Sequence, residues 1–285
     1  MTLRPAGARR QVAPIRRTRP IRRASAGISP IRAAAALVVV LVGIALYGAV
    51  ASPVFSLDRI EVGGIRFTPD AAVRERLAVA SGTNLFTLAT EPLEAGVLTL
   101  PAVAGAEISV GLPDRLIVAV TEREPILVWR VGSEGYLVDV DGRLFHELAP
   151  AEAVLAEGLA VLVDERDASA ELEVGVTLDP VDLDAARRLG SLTPAEVGSA
   201  APALRVSVTD EHGFIVSPGS DSWSAIFGFY TPSLRTTQLI PGQVRLLRSL
   251  LVGRESTIDR IVLASDTDGT YIPKRTPRPE ETDEP

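Results

Sequence analysis

Among the residues that could do chemistry, closely spaced acids and two histidines stand out. Glu122 and Glu124 flank Arg123, and two carboxylates facing one cleft could share general acid and base roles. The simpler reading is a strand end with a local ion pair, worth under about 1 kcal/mol. Asp139 and Asp141, and later Asp266 and Asp268 before Gly269, imitate the opening of a calcium loop. Neither run supplies the remaining oxygen ligands or the closing Glu at the required spacing, so both read as turns. His146 and His212 sit beside predicted turns, with no cysteine in the chain and no second histidine at ligand spacing. Both are expected at the surface. Trp129 and Trp223 fit core positions better than ligand-stacking ones. Since no Gly-x-Ser-x-Gly elbow, phosphate loop or His-Glu-x-x-His occurs, no catalytic, cofactor-binding or metal-binding residue is expected.

The elements around these residues are set by one uncharged run, Ala33 to Ala51. As a helix it would extend about 28 Å, which matches the hydrocarbon thickness of a bilayer. Residues 1–32 carry nine arginines and no acid, against 20 basic and 36 acidic residues in the remainder. Arginines beside a spanning helix stay on the cytoplasmic side, so the N-terminus is expected inside and the bulk of the chain outside. Ala49-Val50-Ala51 has the form of a signal-peptidase site, but the basic lead and the apolar run are both longer than a cleavable signal requires. The tail 1–32, rich in Arg and Pro, and the segment 273–285, rich in Pro and Glu, read as disordered. An exported chain without cysteine holds its folds by burial alone. The acidic excess beyond the tail argues against a nucleic-acid partner.

Beyond the apolar run, residues 55–124 read as strand, helix, helix, strand, strand. Leu57 to Val62 forms the first strand, closed by Gly63-Gly64. Thr68 is the expected N-cap of a helix with Pro69 at its first position and Val73, Leu77 and Ala80 on its apolar face. A second helix places Leu93, Val97 and Leu100 at helical spacing before Pro101. Two strands follow, alternating at Ala106, Ile108 and Val110, then more fully buried from Leu116 to Thr121. Residues 125–272 read as a second, mostly antiparallel β domain with flanking helices. Its features include a type I′ hairpin at Asp141-Gly142, a helix carrying Val181, Ala185 and Leu189, and a hairpin across Asp210 to Gly213. An aromatic strand from Trp223 to Tyr230, a helix from Pro241 to Val252 and a final strand from Ile258 to Leu263 complete it. The fold class is therefore α+β behind a single N-terminal transmembrane helix.

Five pieces in order resemble the POTRA domain of the FtsQ/DivIB family of bacterial cell-division proteins. They are Ile60-Glu61-Val62-Gly63-Gly64, Ser81-Gly82-Thr83-Asn84-Leu85-Phe86, Leu100-Pro101-Ala102-Val103, Leu112-Pro113-Asp114-Arg115-Leu116 and Val120-Thr121-Glu122-Arg123-Glu124-Pro125. Gly135 to Phe145 resembles the family's junction hairpin, and Phe227-Gly228 with Gln243 to Leu251 its later strand and Leu-rich helix. The run Ser265 to Tyr271 departs from the familiar ending. The resemblance implies a non-enzymatic, single-pass protein of the cytoplasmic membrane at the division septum. It also implies binding to the small bitopic proteins FtsB and FtsL, and through them a link to septal peptidoglycan synthases, with no small-molecule substrate. Strand addition is the expected mode, at an edge formed by Ile258, Arg260 and Val262 with support from Val244, Leu247 and Leu251. A membrane-anchored cell-wall enzyme or ligand sensor, or a POTRA-type chaperone of barrels, stands as the alternative.

Overall fold

The computed structural model describes residues 29–219 and 222–274. The readings of the basic tail up to residue 28 and of the acidic segment from residue 275 lie outside the described residues. The chain forms two compact units, one ending at Ala51 and one beginning at Ser52.

Helix α1 is Pro30–Ala51, 22 residues, about 33 Å long at 1.5 Å per residue. It is long and apolar enough to cross a membrane. It starts three residues earlier than its uncharged run because Ser29 caps it: the Ser29 Oγ accepts from Arg32 N at 3.3 Å and the Ser29 carbonyl from Ala33 N at 3.0 Å. Pro30 then stands at the first helical position, where a missing N–H costs nothing. From Pro30 to Gly48 its side chains are exposed all round, as expected of a helix whose apolar surface has no stripe.

The second unit holds two sheets. The first is built from β1 (Arg59–Gly63), α2 (Asp70–Leu77), α3 (Glu91–Val97), β2 (Val103–Gly111) and β3 (Arg115–Glu122). The strand order is β1-β3-β2, with β1 parallel and β2 antiparallel to β3. Val73 and Leu77 of α2 and Leu93 and Val97 of α3 pack on Ile108, Leu116, Val118 and Val120. Since the helices cover one face only, β3 alternates between buried and exposed and leaves Ile117 open, yet it is more fully buried than β2, as expected. The Thr68 cap fails. Pro69 is the N-cap residue of α2, and the backbone N–H groups of Arg66, Phe67 and Thr68 donate to the Glu122 carboxylate at 2.6, 2.8 and 2.6 Å. The carboxylate thus fixes the backbone ahead of α2, while the buried Thr68 Oγ1 has no hydrogen-bond partner among the described residues.

The second sheet contains β4 (Leu127–Val131), β5 (Glu134–Val138), β6 (Leu144–Glu147), β7 (Ala160–Asp164), α4 (Pro180–Gly190), α5 (Pro194–Val197), β8 (Arg205–Thr209), β9 (Gly213–Ser217), β10 (Ser224–Gly228), α6 (Ile240–Leu251), β11 (Ile258–Leu263) and β12 (Gly269–Pro273). Nine strands run in the order β12-β11-β10-β9-β8-β7-β4-β5-β6. Five neighbouring pairs are antiparallel and three parallel: β4 with β7, β7 with β8, and β10 with β11. Parallel neighbours need a crossover, and α4, α5 and α6 supply two of the three. The helices and the sheet share one core, with Trp129, Leu162, Val206, Phe214, Trp223 and Phe227 against Leu189, Leu247 and Leu251. The helix carrying Leu189 is capped by Asp179, whose side chain accepts from Val181 N at 2.7 Å.

The β5–β6 connection differs from the type I′ expectation. Among the described residues no non-glycine has a positive φ, and only Gly142 in this turn does, at +83°. A type I′ turn needs positive φ at both central residues. Instead, Asp139 organises the loop. Its Oδ1 accepts from Asp141 N and Arg143 N at 2.9 Å each, and its Oδ2 takes the Arg123 guanidinium. Arg123 also donates from Nε to the Pro101 carbonyl at 3.1 Å. Glu122 and Arg123 thus take distant partners rather than each other, and Asp139 belongs to the joint between the two sheets rather than to a calcium loop. Phe67 and Ala102 from the first sheet region pack there with Val128, Leu137 and Phe145 of the second.

Candidate partner-binding edge

A sheet edge presents unpaired backbone N–H and C=O groups that another chain can extend. Two sheets give four edges, and three of them are hydrogen-bonded to other parts of the protein. On β1, Arg74 of α2 donates to the Ile60 carbonyl at 2.7 Å. On β2, Glu94 of α3 accepts from Ile108 N at 3.0 Å. Along β6, Leu144 N donates to the Val176 carbonyl at 2.9 Å and Gly175 N to the Leu144 carbonyl at 2.7 Å, so the 173–178 loop runs beside it. The fourth edge is β12. It pairs with β11 through Val262↔Thr270, Ile261↔Tyr271 and Arg260↔Ile272, and among the described residues no loop or side chain is hydrogen-bonded along its other side.

Opposite residues of an antiparallel pair share a face. Tyr271 therefore lies on the helix side with Ile261, while Thr270 and Ile272 lie on the other face with Val262 and Arg260. Tyr271 and Ile272 are 47% and 49% exposed. Beside them, Leu246 of α6 stands over Gly269, close enough that a Cβ there would lie 3.1 Å from its Cδ2. The edge strand is thus bordered by half-buried leucines of α6, Leu246 and Leu250.

The expected contact residues are redistributed by this arrangement. Leu247, Leu251 and Ile258 are completely buried in the domain core. Val244 packs partly against the same core. Arg260 is exposed and Val262 half-buried, but both sit on β11, which has a neighbour on each side. The face of α6 that carries Val244, Leu247 and Leu251 meets its own sheet, so it cannot also meet a partner. The strand at this edge, Gly269–Pro273, overlaps the run Ser265 to Tyr271 that departs from the family's ending. Its signals are the turn closed by the Ser265 Oγ, which accepts from Thr267 N and Asp268 N at 3.2 and 2.9 Å, and the β-forming Thr270-Tyr271-Ile272 after Gly269.

The strands behind the edge are held by buried polar groups. Gln243, fully buried, donates from Nε2 to the Phe227 and Leu263 carbonyls at 3.2 and 3.0 Å, and its Oε1 accepts from the Tyr230 hydroxyl at 2.7 Å. Arg235 donates to the Phe227 and Leu263 carbonyls at 2.5 and 2.8 Å, and also to the Ala264 carbonyl. These bonds tie α6 and the loop before it to the ends of β10 and β11. Burial pushes the Tyr230 hydroxyl well above its ordinary range, although Arg235 opposes it. At the start of β11, Glu255 accepts from the Trp223 indole at 2.8 Å, from Ala200 N at 2.9 Å and from Ser199 Oγ. Desolvation works against its charge, but these hydrogen bonds and Lys274 hold its carboxyl below the usual range.

The remaining titratable candidates serve the fold. Asp164, buried, takes the Trp129 indole at 3.1 Å, Ser169 Oγ at 2.6 Å and the Arg166 guanidinium. Desolvation is outweighed by these partners, so its carboxyl is held low. Asp184, bonded to Thr237 and Arg188, is shifted the same way. Neither histidine is a free surface group. His146 on β6 pairs through Nε2 with Glu152 at 3.1 Å and lies 5.3 Å from the Phe67 ring, and His212 Nδ1 stands 3.5 Å from Glu211. Trp129 and Trp223 are core residues without exposure.

Comparison with known proteins agrees with this architecture. The family model for the FtsQ-type POTRA domain matches residues 55–123. The cell division protein FtsQ of Chloroflexus aurantiacus is 28% identical over 258 residues, covering 89% of this chain and 83% of that protein. FtsQ of Chloroflexus aggregans is 30% identical over 172 residues, covering 60% of this chain and 61% of its own length. FtsQ of Mycolicibacterium smegmatis is 31% identical over 192 residues, covering 66% of this chain and 54% of its own. The matches thus span less than two thirds of the latter two relatives.

Proposed function

Since this chain belongs to the FtsQ/DivIB family of cell-division proteins, we propose that it is a non-enzymatic, membrane-anchored scaffold of the divisome. In this reading the N-terminus is cytoplasmic and the two-sheet unit lies outside the membrane at the division septum. It accepts a strand from a small bitopic partner of the FtsB and FtsL type, and so links those proteins to septal peptidoglycan synthesis. The observation that carries the reading is the inventory of edges: Arg74, Glu94 and the 173–178 loop each bond to one of three edge strands, and among the described residues β12 takes no such bond. An added strand would bond to the backbone of β12 and set its register with side chains against Tyr271 on the helix face and Ile272 on the other.

Asp164, Asp184 and Glu255 are each held below the usual carboxylate range by hydrogen bonds within the fold, which suits a structural role for these three better than that of a proton donor near neutrality. The edge moves from the expected β11 to β12, and the test moves with it. Cells depleted of the native chain and supplied with the Tyr271→Asp variant should form filaments without septa, and the variant should co-purify at least ten-fold less FtsB-type partner while keeping its melting temperature. Normal septation with undiminished co-purification would sink the proposal.

A further inference from the structure

The segment that follows α1 is stitched to a loop whose Asn-Leu-Phe motif the edge at β12 leaves without a role. Ser52 Oγ accepts from Val54 N at 3.2 Å, and the Ser52 carbonyl accepts from Asn84 Nδ2 at 3.4 Å. Leu85 N donates to the Phe55 carbonyl at 2.8 Å, Leu57 N to Thr83 at 2.9 Å and Gly82 N to Leu57 at 3.1 Å. Asn84 Oδ1 accepts from Phe86 N at 2.9 Å. The result sets the Phe86 ring edge-on to Phe55 with centroids 5.0 Å apart. Phe86 and Val54 are nonetheless 52% and 61% exposed.

One exposed apolar side chain means little on any protein. Here covalent connection decides what it meets. Val54 is three peptide units from Ala51, hence within about 11 Å of it whatever direction α1 takes. The headgroup layer on each side of the hydrocarbon is about 5–8 Å deep. Aromatic rings concentrate in that layer, and Tyr47 stands one turn before the end of α1. On the neighbouring wall, the Arg59–Asp114 pair at 3.5 Å and Asp58 present polar groups, with exposed Leu112 beside them.

We propose that Val54 and Phe86, supported by Phe55, form a lipid-contacting foot that seats the first sheet domain in the headgroup layer of the membrane. The occupant is the bilayer interface itself, because the tether of three peptide units between Ala51 and Val54 keeps the foot within reach of it. This inference rests on the reading of α1 as a membrane anchor.

The chain has no cysteine, so single labels can be placed without background. The full chain carrying a nitroxide at Val40→Cys, Val54→Cys, Phe86→Cys or Val154→Cys would be reconstituted in phosphatidylcholine vesicles. Accessibility to oxygen and to a water-soluble nickel chelate would then be compared. The oxygen-to-nickel ratio at positions 54 and 86 should be several-fold above that at exposed Val154 and below that at Val40 in α1. If position 40 is immersed while position 86 matches position 154, the foot does not exist. If position 40 also matches position 154, the anchor reading fails and the foot with it.

Discussion

At the scale of single residues, charged side chains in this protein mostly hold backbone. Glu122 gathers three successive N–H groups ahead of α2, and Asp139 and Arg123 hold a loop and a joint. A carboxylate bonded in this way favours its charged form. Asp164, Asp184 and Glu255 therefore have folded pKa values below their unfolded ones. Their contribution to stability is fully present above the unfolded values, about 4, and is lost as pH falls through the depressed folded values. Melting temperature measured from pH 7 to pH 2 should be flat down to about pH 5 and fall steeply below about pH 4. A Trp223→Phe variant removes one of the bonds to Glu255 and should flatten part of that fall.

At the scale of elements, what distinguishes the strands is who occupies their edges. Each edge of the three-stranded sheet shares one hydrogen bond with a charged side chain of the helix packed behind it, Arg74 on Ile60 and Glu94 on Ile108. Charged residues at an edge oppose unwanted pairing. The double variant Arg74→Ala with Glu94→Ala should keep its helix and strand content but self-associate with rising concentration. Sedimentation velocity would read this, and a monomer at all concentrations would show that the two side chains guard nothing. The open strand β12 is short and ends at Pro273, a residue without an N–H. Its pairing surface is thereby limited to a few residues, consistent with one specific strand rather than indiscriminate aggregation.

At the scale of the whole two-sheet unit, the joint sets how the open edge is presented. Phe67 lies 5.3 Å from the Phe145 ring at 73°, an edge-to-face geometry that adds to its burial. The Arg123–Asp139 pair sits beside this cluster, with Asp139 almost fully buried. Replacing Phe67 with Ala removes the main apolar contact across the joint and should cost about 3 kcal/mol. Since each sheet has its own core, the variant should unfold in two calorimetric transitions where the parent shows one. A single sharp transition in the variant would mean that the joint does not couple the two.

Much of this was legible in the sequence because it depends on local chemistry. The uncharged run between Ala33 and Ala51, the order of strands and helices around Val73, Leu93 and Leu116, and the hairpin of Arg205–Ser217 follow from periodicity, caps and turns. Pairing across the sheet depends on residues far apart in the chain, and periodicity is silent about it. Hence Leu247 and Leu251 were recognisable as an apolar face, but only the fold decided that the face is spent on the protein's own core. Ile258–Leu263 was recognisable as a strand, but its place inside the sheet followed from Gly269–Pro273 folding back on it. The partners of Glu122, Arg123 and Glu94 lie 14 to 56 residues away. The sequence determined which elements form, because helix and strand propensity act within a few residues. The tertiary structure alone decided which edge stays open, because that depends on which backbone groups distant side chains and loops have already satisfied.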